Sequence, residues 1–428
     1  MSAAPTVHVV GGGLAGLAAA LGCAEAGLRT VVHEAAPRLG GRCRSFHDAT
    51  LSMTIDNGNH LLMGANRAAL GLVARAGALD ELVSPDRPAY PMVDLERGHR
   101  FVLRPGGAAR PWWPFARDGG LAGVAASDLA DMLRLARAGP GLTVAQAVRR
   151  RGPLWRAFWE PLTVAAINAA PDKAQARLLW PVIARAFLGA RAAARPVIAR
   201  RALAAALVDP VAARLAALGG EVRTAARVDA LVVADGRVRA LASGPARTAL
   251  GARDAVILAL PWHGARRLLP GLATPDDGAA ILNAHFRLAA PPPPLPGGAR
   301  LLGVLGAISQ WIFVRGAHVA VTVSAAQADA AGADEAARLA RIWAEVRAAL
   351  GLGAGAGFEA GRIIIEKRAT FDPAPASVAR RPQPDAPALA NLLLAGDWTA
   401  TGLPATIEGA VASGDRAAGL IRRRLPQL

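Results

Sequence analysis

Short apolar runs and helical periodicity alternate along this chain from its first residues. Val7–Val10 reads as a short buried strand, and the stretch from Leu14 to Ala26 carries a helical pattern that stops at Gly27. Arg29–His33 reads as the next strand and ends at Glu34, so the first segment forms one βαβ unit. Helical spacing returns from about Asn66 to Leu82, with apolar residues at Leu70, Val73, Leu79 and Leu82, before Pro85 to Pro91 breaks it. Met92–Leu95 and His99–Leu103 alternate around a turn, as a hairpin of a second sheet would. From roughly 120 to 205 the pattern is a helical insertion with an apolar face and a basic face. Its aromatic cluster is Trp155, Phe158, Trp159, Trp180 and Phe187, of which Trp155, Trp159, Trp180 and Phe187 either line a long apolar tunnel or form a plain helical core.

Strand character resumes at Glu221–Thr224, Ala226–Val233 and Arg237–Ala242, with Asp235-Gly236 as a tight hairpin turn. Asp254–Leu260 is a continuous apolar strand stopped by Pro261, and Pro291–Pro294 is a stiff linker. Leu301–Val323 reads as strands of the second sheet, Glu335–Leu350 as an amphipathic helix, and residues 362–367 as a last strand. The implied class is α/β. A Rossmann-like nucleotide-binding domain is split over residues 1–65, 206–270 and 386–428, and an α+β substrate domain takes 66–205 and 271–385.

At 428 residues the chain can bury a large core and divide into two connected domains. A formal charge of +17 raises the question of nucleic acid, but the arginines are scattered along helical stretches. No compact basic run has aromatics at stacking intervals, so nucleic acid is not an expected partner. Attraction to an anionic membrane surface is the better use of this charge. Two cysteines, Cys23 and Cys43, build no disulfide framework and match no metal spacing, so no metal is expected and a reducing cytoplasm is the default location. Val7 to Ala24 lacks charged residues, yet its glycines make a poor signal helix. The apolar run from Leu301 to Val314 is 14 residues, too short to span a bilayer. The expectation is a soluble or peripheral protein.

Gly11, Gly13 and Gly16 fit G-x-G-x-x-G between a strand and a helix. The first glycine allows the tight turn, the second lets the backbone approach a pyrophosphate, and the third permits close helix–strand packing, with Ala15 inside the same turn. The pyrophosphate then lies at the positive end of the helix. Glu34 follows Gly16 by 18 residues, where an acid accepts hydrogen bonds from a ribose 2′-OH. That acid disfavours a 2′-phosphate and leaves FAD or NAD. Gly40-Gly41-Arg42 then stands where an NAD-binding domain would run into another crossover helix, and favours the longer cofactor, FAD.

Segments 7–44, 221–261 and 392–415 together resemble the flavin-containing amine oxidase and phytoene desaturase superfamily. The resemblance implies non-covalent FAD held by Glu34 at the adenosine ribose, by Gly13 and Gly16 at the pyrophosphate, and by Arg42 with Gly40 and Gly41 further along. It also implies that Val228 brackets the adenine, and that Gly396-Asp397 contacts ribityl or phosphate oxygens unless it is only a turn. Ala405, Thr406 and Ile407 would aim backbone amides at the flavin pyrimidine edge. Glu408 would be a cofactor neighbour or simply an acid complementing its helix dipole. In the superfamily, the segment at Asp56 and Gly58 passes the flavin face. His60, and less directly Asp56, are the candidate catalytic groups there, although a hydrogen-bonded structural histidine fits the same position.

Two stretches narrow the match. Asp56-Asn57-Gly58-Asn59-His60 resembles the Asp-Asn-Gly-Gln-His segment of hydroxysqualene dehydroxylases, with Asn59 where Gln is usual. The run from Asp397 to Ala410 is similar to that family's C-terminal signature, and Phe158–Leu162 with Ala165–Asn168 to its insertion motif. This family implies reductive removal of a hydroxyl from hydroxysqualene to give squalene for hopanoid synthesis. The partners it implies are an isoprenoid lipid substrate, a membrane surface, and an external electron donor such as NADPH or a reductase. Competing readings are a carotenoid-type desaturase or isomerase running FAD oxidatively, an amine oxidase, and a non-catalytic isoprenoid carrier. The single tyrosine, Tyr90, equips the chain poorly for the aromatic cage of an amine oxidase.

Overall fold

Five parallel strands gather both ends and the middle of the chain into one sheet. In order across it they are Glu221–Arg223, Arg29–His33, Thr6–Val10, Ala255–Leu258 and Leu392–Leu394. All four pairings are parallel. Thr6–Val10, Ala255–Leu258 and Leu392–Leu394 are buried throughout, as continuous Val/Ile/Leu runs require when both faces of a sheet are covered. The computed structural model describes residues 5–106, 114, 121, 123–326 and 334–425.

The first helix, Leu14–Ala24, is apolar on all sides and therefore buried on all sides. Its outer neighbour is the last helix, Ile407–Arg424. A Cβ on Gly414 would lie 2.2 Å from the Ala15 carbonyl oxygen, so the two backbones touch. Small residues on both helices thus make the two chain ends one structural unit.

An antiparallel meander, Ala230–Ala234, Arg237–Ser243 and Ala246–Ala249, follows the strand at 221–223. Its first strand begins at Ala230 rather than at the expected Ala226. The intervening backbone turns through a left-handed Ala225 (φ 52°), and the Ala226 N–H donates to the Glu34 carbonyl at 2.8 Å. Asp235 and Gly236, at φ 51° and 66°, form the expected hairpin turn.

The second sheet has seven strands, ordered Ala360–Glu366, Ile281–Arg287, His318–Val323, Trp311–Arg315, Leu301–Leu305, Tyr90–Asp94 and His99–Leu103. Strand alternation sorts its residues onto two faces. Leu282, Phe286, Val319, Val321 and Ile312 pack with Leu339, Ile342, Trp343 and Val346 of the helix Glu335–Leu350. Burying each such side chain contributes about 1.5–3 kcal/mol. The opposite face carries Asn283, His285, Thr322, Trp311 and Phe313 and looks toward the nucleotide-binding half.

The insertion is helical, with one departure from the regular pattern. Trp155–Trp159 and Ile183–Phe187 are π-helical turns, joined to the α-helices Glu160–Ile167 and Ala176–Val182. Each lies beside a proline, Pro161 or Pro181, whose missing N–H interrupts the regular hydrogen-bond ladder. No helix among the described residues is long and apolar enough to cross a membrane.

Candidate active site

The glycine turn after the first strand has the shape of a phosphate cradle. Gly11 has φ 112°, and a Cβ there would meet the Ala259 carbonyl oxygen at 2.6 Å. A Cβ on Gly16 would lie 1.9 Å from the Gly11 carbonyl oxygen, so the helix seats directly on the turn. At Gly13, by contrast, a Cβ would meet nothing within 4 Å. The protein leaves that side open, and Ala15 is buried one turn below. The helix starting at Leu14 has neither a side-chain cap nor an acid in its first turn. Its N-terminal amides are left to an external anion, and the residues present fit a dinucleotide pyrophosphate.

Glu34 stands at the rim of this cradle. Its carboxylate accepts the Gly12 N–H at 2.6 Å and the Ala36 N–H at 2.7 Å, which fixes the acid at the end of its strand. Gly40 and Gly41 pass on the other side, with the Gly40 N–H donating to the Gly12 carbonyl at 2.8 Å. Val228 is buried in the loop that returns past Glu34. These residues come from three segments, and the fold brings them to one edge of the parallel sheet.

Arg42 and Asp397 were both assigned to the cofactor by the family resemblance, and the structure pairs them with each other. The Arg42 Nη2 donates to both Asp397 carboxylate oxygens at 2.7 and 2.8 Å, and its Nη1 donates to the Ala369 carbonyl. Asp397 is buried, and Arg42 retains partial exposure toward the site. The pair is a clasp between the first and last cofactor segments. Asp397 follows Gly396, whose amide donates to Ser413 Oγ at 2.8 Å. Sequence reasoning missed the residue that shapes the next loop, Arg381. Its buried guanidinium donates to the carbonyls of Asp397, Trp398, Thr399 and Leu403. Burial without a carboxylate partner lowers its pKa to about 10.

That loop delivers the last helix to the site. Thr406 caps it by accepting the Gly409 N–H at 3.2 Å, and Ala405, Thr406 and Ile407 all line the central cavity. Glu408 does something other than complement its own helix. Its carboxylate accepts the N–H groups of Ala68 (3.2 Å) and Ala69 (3.0 Å), capping the neighbouring helix Arg67–Arg75. One acid thus welds two helix N-termini at the cavity wall.

The cavity encloses about 260 Å³ between the insertion, the polar face of the second sheet and this helix end. Its aromatic wall differs from the one periodicity suggests. Phe158 and Phe187 line it, edge to face at 5.0 Å, together with Trp311 and Phe313 of the sheet. Trp159 is buried in the core, Trp155 lies under the Arg151 guanidinium, and Trp180 packs behind the cavity. The π turns explain the exchange, because one extra residue per turn rotates the following side chains off the regular helical phase. Tyr90 also lines the wall, but its hydroxyl is committed to the Ala194 carbonyl at 2.7 Å.

His60 and Asp56, proposed together from the sequence, part company. His60 faces the cavity, and its ring has no hydrogen-bond partner among the described residues. Burial lowers its pKa to about 4, so the imidazole is neutral near pH 7. Asp56 is buried away from the cavity lining, and its oxygens are occupied. Oδ1 accepts Ser45 Oγ (2.6 Å) and the Leu203 N–H (2.8 Å), while Oδ2 accepts Arg315 Nη2 at 2.8 Å. In this arrangement Asp56 is a structural cross-link. Gly58 lies between them, and a Cβ there would meet Asn283 Nδ2 at 3.4 Å.

Of the polar residues that support this wall, Asn283 was not singled out from sequence, and Asn168 only as the end of the insertion motif. Asn283, from the second sheet, accepts the Asn59 N–H (3.2 Å), Asn59 Nδ2 (3.3 Å) and Thr322 Oγ1 (3.0 Å) on one oxygen. Asn168 ends its helix in the left-handed region, accepts the Ala325 N–H at 2.7 Å and donates to Thr370 Oγ1 at 3.1 Å. A signal existed for the strand residues. Asn283 and His285 are polar residues two apart in a largely apolar strand, and Thr322 and Ser324 are two apart across the end of another.

Residues 14–422 match the family model described as flavin containing amine oxidoreductase. A hydroxysqualene dehydroxylase of Rhodopseudomonas palustris is 41% identical over 417 residues, covering 97% of this chain and 98% of that one. A second, from Sinorhizobium fredii, is 38% identical and covers 97% of each chain. Among solved structures, a cyclohexylamine oxidase from Brevibacterium oxydans superposes with a TM-score of 0.73 over 99% of this chain and 100% of that one. At 17% identity that likeness speaks for the fold alone.

Proposed function

The chain belongs to the flavin-containing amine oxidoreductase family, among its hydroxysqualene dehydroxylases, and we propose that it converts hydroxysqualene to squalene, the precursor of hopanoids. It is an FAD-dependent oxidoreductase. Replacing a hydroxyl by hydrogen takes two electrons and two protons and releases water. Bound FAD, when reduced, supplies the hydride equivalent of that exchange.

The chain's own residues supply the rest. The open turn at Gly13 and the amides after it would hold the pyrophosphate, and Glu34 would accept from the adenosine ribose. The Arg42–Asp397 clasp and Arg381 fix the loop that positions the last helix. Phe158, Phe187 and Phe313 exclude water from an apolar substrate. The observation that carries the reading is the single unpartnered imidazole, His60, in this otherwise largely apolar cavity beside the 405–407 helix end. Its neutral ring donates an N–H to the substrate hydroxyl. A proton taken up on a ring whose pKa is about 4 is readily given to the departing oxygen.

A nicotinamide donor such as NADPH, or a reductase, returns electrons to the enzyme. The arginines of the insertion support a peripheral seat on the cytoplasmic membrane surface, where an isoprenoid is extracted from lipid. The test is product analysis: purified FAD-loaded protein, hydroxysqualene and a chemical reductant under anaerobic conditions. Squalene is the expected product. Its absence, with oxidative desaturation of a carotenoid precursor by the same preparation, would replace this reading with the desaturase one.

A further inference from the structure

Substrate and product of this reaction differ by a single hydroxyl, which poses a problem for an apolar cavity. Burying a hydroxyl without a partner costs free energy, so apolar walls alone would hold the hydrocarbon product at least as firmly as the alcohol. The enzyme would then fill with its own product.

The cavity is not uniformly apolar. Asn59, Thr322, Ser324, Asn168 and Thr370 all line it and form a hydrogen-bonded polar arc among apolar neighbours such as Leu61, Leu162 and Phe158. Asn59 Nδ2 donates to Thr322 Oγ1 at 3.3 Å, Ser324 directly follows the strand that carries Thr322, and the Ala325 amide after it is held by Asn168. Asn168 in turn donates to Thr370 Oγ1 at 3.1 Å. The arc is rigid, because Asn283 Oδ1 collects both Asn59 nitrogens and the Thr322 hydroxyl.

The arc is also incompletely satisfied. Asn59 Oδ1 is buried with no partner. Ser324 Oγ has none among the described residues, since only the backbone of Ser324 is engaged, by Gln310. The Thr370 hydroxyl, which accepts from Asn168, still has its own hydrogen to give. An alcohol carries one donor and two acceptor positions and can engage such groups, whereas a hydrocarbon covers them and leaves them unpaired. A site with buried polar groups rejects the analogue lacking the matching hydroxyl.

We propose that this arc is a hydroxyl-recognition subsite that makes the cavity prefer the alcohol to the hydrocarbon and so drives product release. Ser324 contacts the substrate oxygen, and Asn283 is a positioning residue acting through Asn59 and Thr322. The inference rests on the dehydroxylase reading, but its test needs no turnover.

Dissociation constants of hydroxysqualene and squalene are measured on the oxidised FAD-loaded protein by perturbation of the flavin spectrum. Wild type is expected to bind the alcohol about tenfold or more tighter, one hydrogen bond's worth of discrimination. In Ser324→Ala and Thr322→Val the ratio is expected to shrink toward unity, with alcohol binding weakened and squalene binding strengthened. Variants that retain flavin and melting temperature but keep the wild-type ratio would overturn the proposal. If both variants fail to fold, wild type decides alone: squalene bound as tightly as the alcohol overturns it. Squalene formation from hydroxysqualene by wild type tests the parent reading separately.

Discussion

The cofactor cradle and the cavity wall acquire their shapes by opposite means. The cradle is backbone: Gly11, Gly13 and Gly16 form it by having no side chains, within a few residues of sequence. The cavity wall is side chain, taken from the 59–66 segment, five strands of the second sheet, two π turns and the start of the last helix. At Gly11 and Gly16 the first tolerates no added atom, because carbonyl groups stand where a Cβ would go. The second can lose or change a side chain and keep its outline. The cradle should therefore fail all at once, and the cavity by degrees.

The sharpest way to break this comparison is Gly16→Ala. Its Cβ would sit 1.9 Å from a carbonyl oxygen, so the turn or the helix must move. Overpacking of this kind costs about 1–3 kcal/mol or more. We expect loss of bound FAD and a clear drop in melting temperature, read by flavin absorbance and thermal unfolding. Retention of wild-type flavin content would show that the cradle is not backbone-limited.

Asp56→Asn comes next and separates the two residues grouped from sequence. It leaves Arg315 without its buried partner, at a cost of about 3 kcal/mol. The expected result is lower stability with near-normal turnover per folded molecule. His60→Gln should do the reverse, with unchanged melting and turnover down about a hundredfold, within the range for a proton-transferring side chain. A fall in stability for His60→Gln with unchanged turnover would make it a structural histidine.

Phe158→Ala should have a smaller effect, confined to the cavity. The lost packing costs about 3 kcal/mol of stability or binding, and we expect it mainly as a higher KM with FAD content preserved. The mildest test is pH. Burial lowers the pKa of His33, His60 and His318 to about 4 and that of His285 to about 3. The unfolded chain takes up protons at these rings first, near the ordinary value of 6.5. Their contribution is thus complete above about pH 6.5 and is lost as pH falls through 4. Melting temperature should decline steadily across that window, and a flat profile would contradict the buried neutral assignments.

The same contrast explains what could be read from the sequence. The βαβ unit, the glycine turn with Glu34, the hairpin at 90–103 and the helix Glu335–Leu350 were legible because each is local, with its own period or turn residues. For the tryptophans of the insertion, helical periodicity leaves open a tunnel lining or a plain core, and the structure keeps them off the cavity wall. Phe187, offered by the same reading, does line the wall, and the π turn at Trp155–Trp159 brings Phe158 there as well. Asp56 was paired with His60 because they are near in sequence, while its partners Leu203 and Arg315 lie far along the chain. Glu408 could not be assigned to the helix Arg67–Arg75 without the packing that brings 340 residues of separation to a hydrogen bond. Arg381 carries no local signal at all, since its partners are four carbonyls and the Thr401 hydroxyl of a loop.

A single-turnover experiment tests the central claim most directly. Protein reduced anaerobically and freed of excess reductant is mixed with one equivalent of hydroxysqualene. Flavin reoxidation is followed spectrally, and the product by mass spectrometry. One squalene formed for each flavin reoxidised, at matching rates, is the result this account predicts. Flavin that stays reduced while the alcohol is recovered unchanged would contradict it.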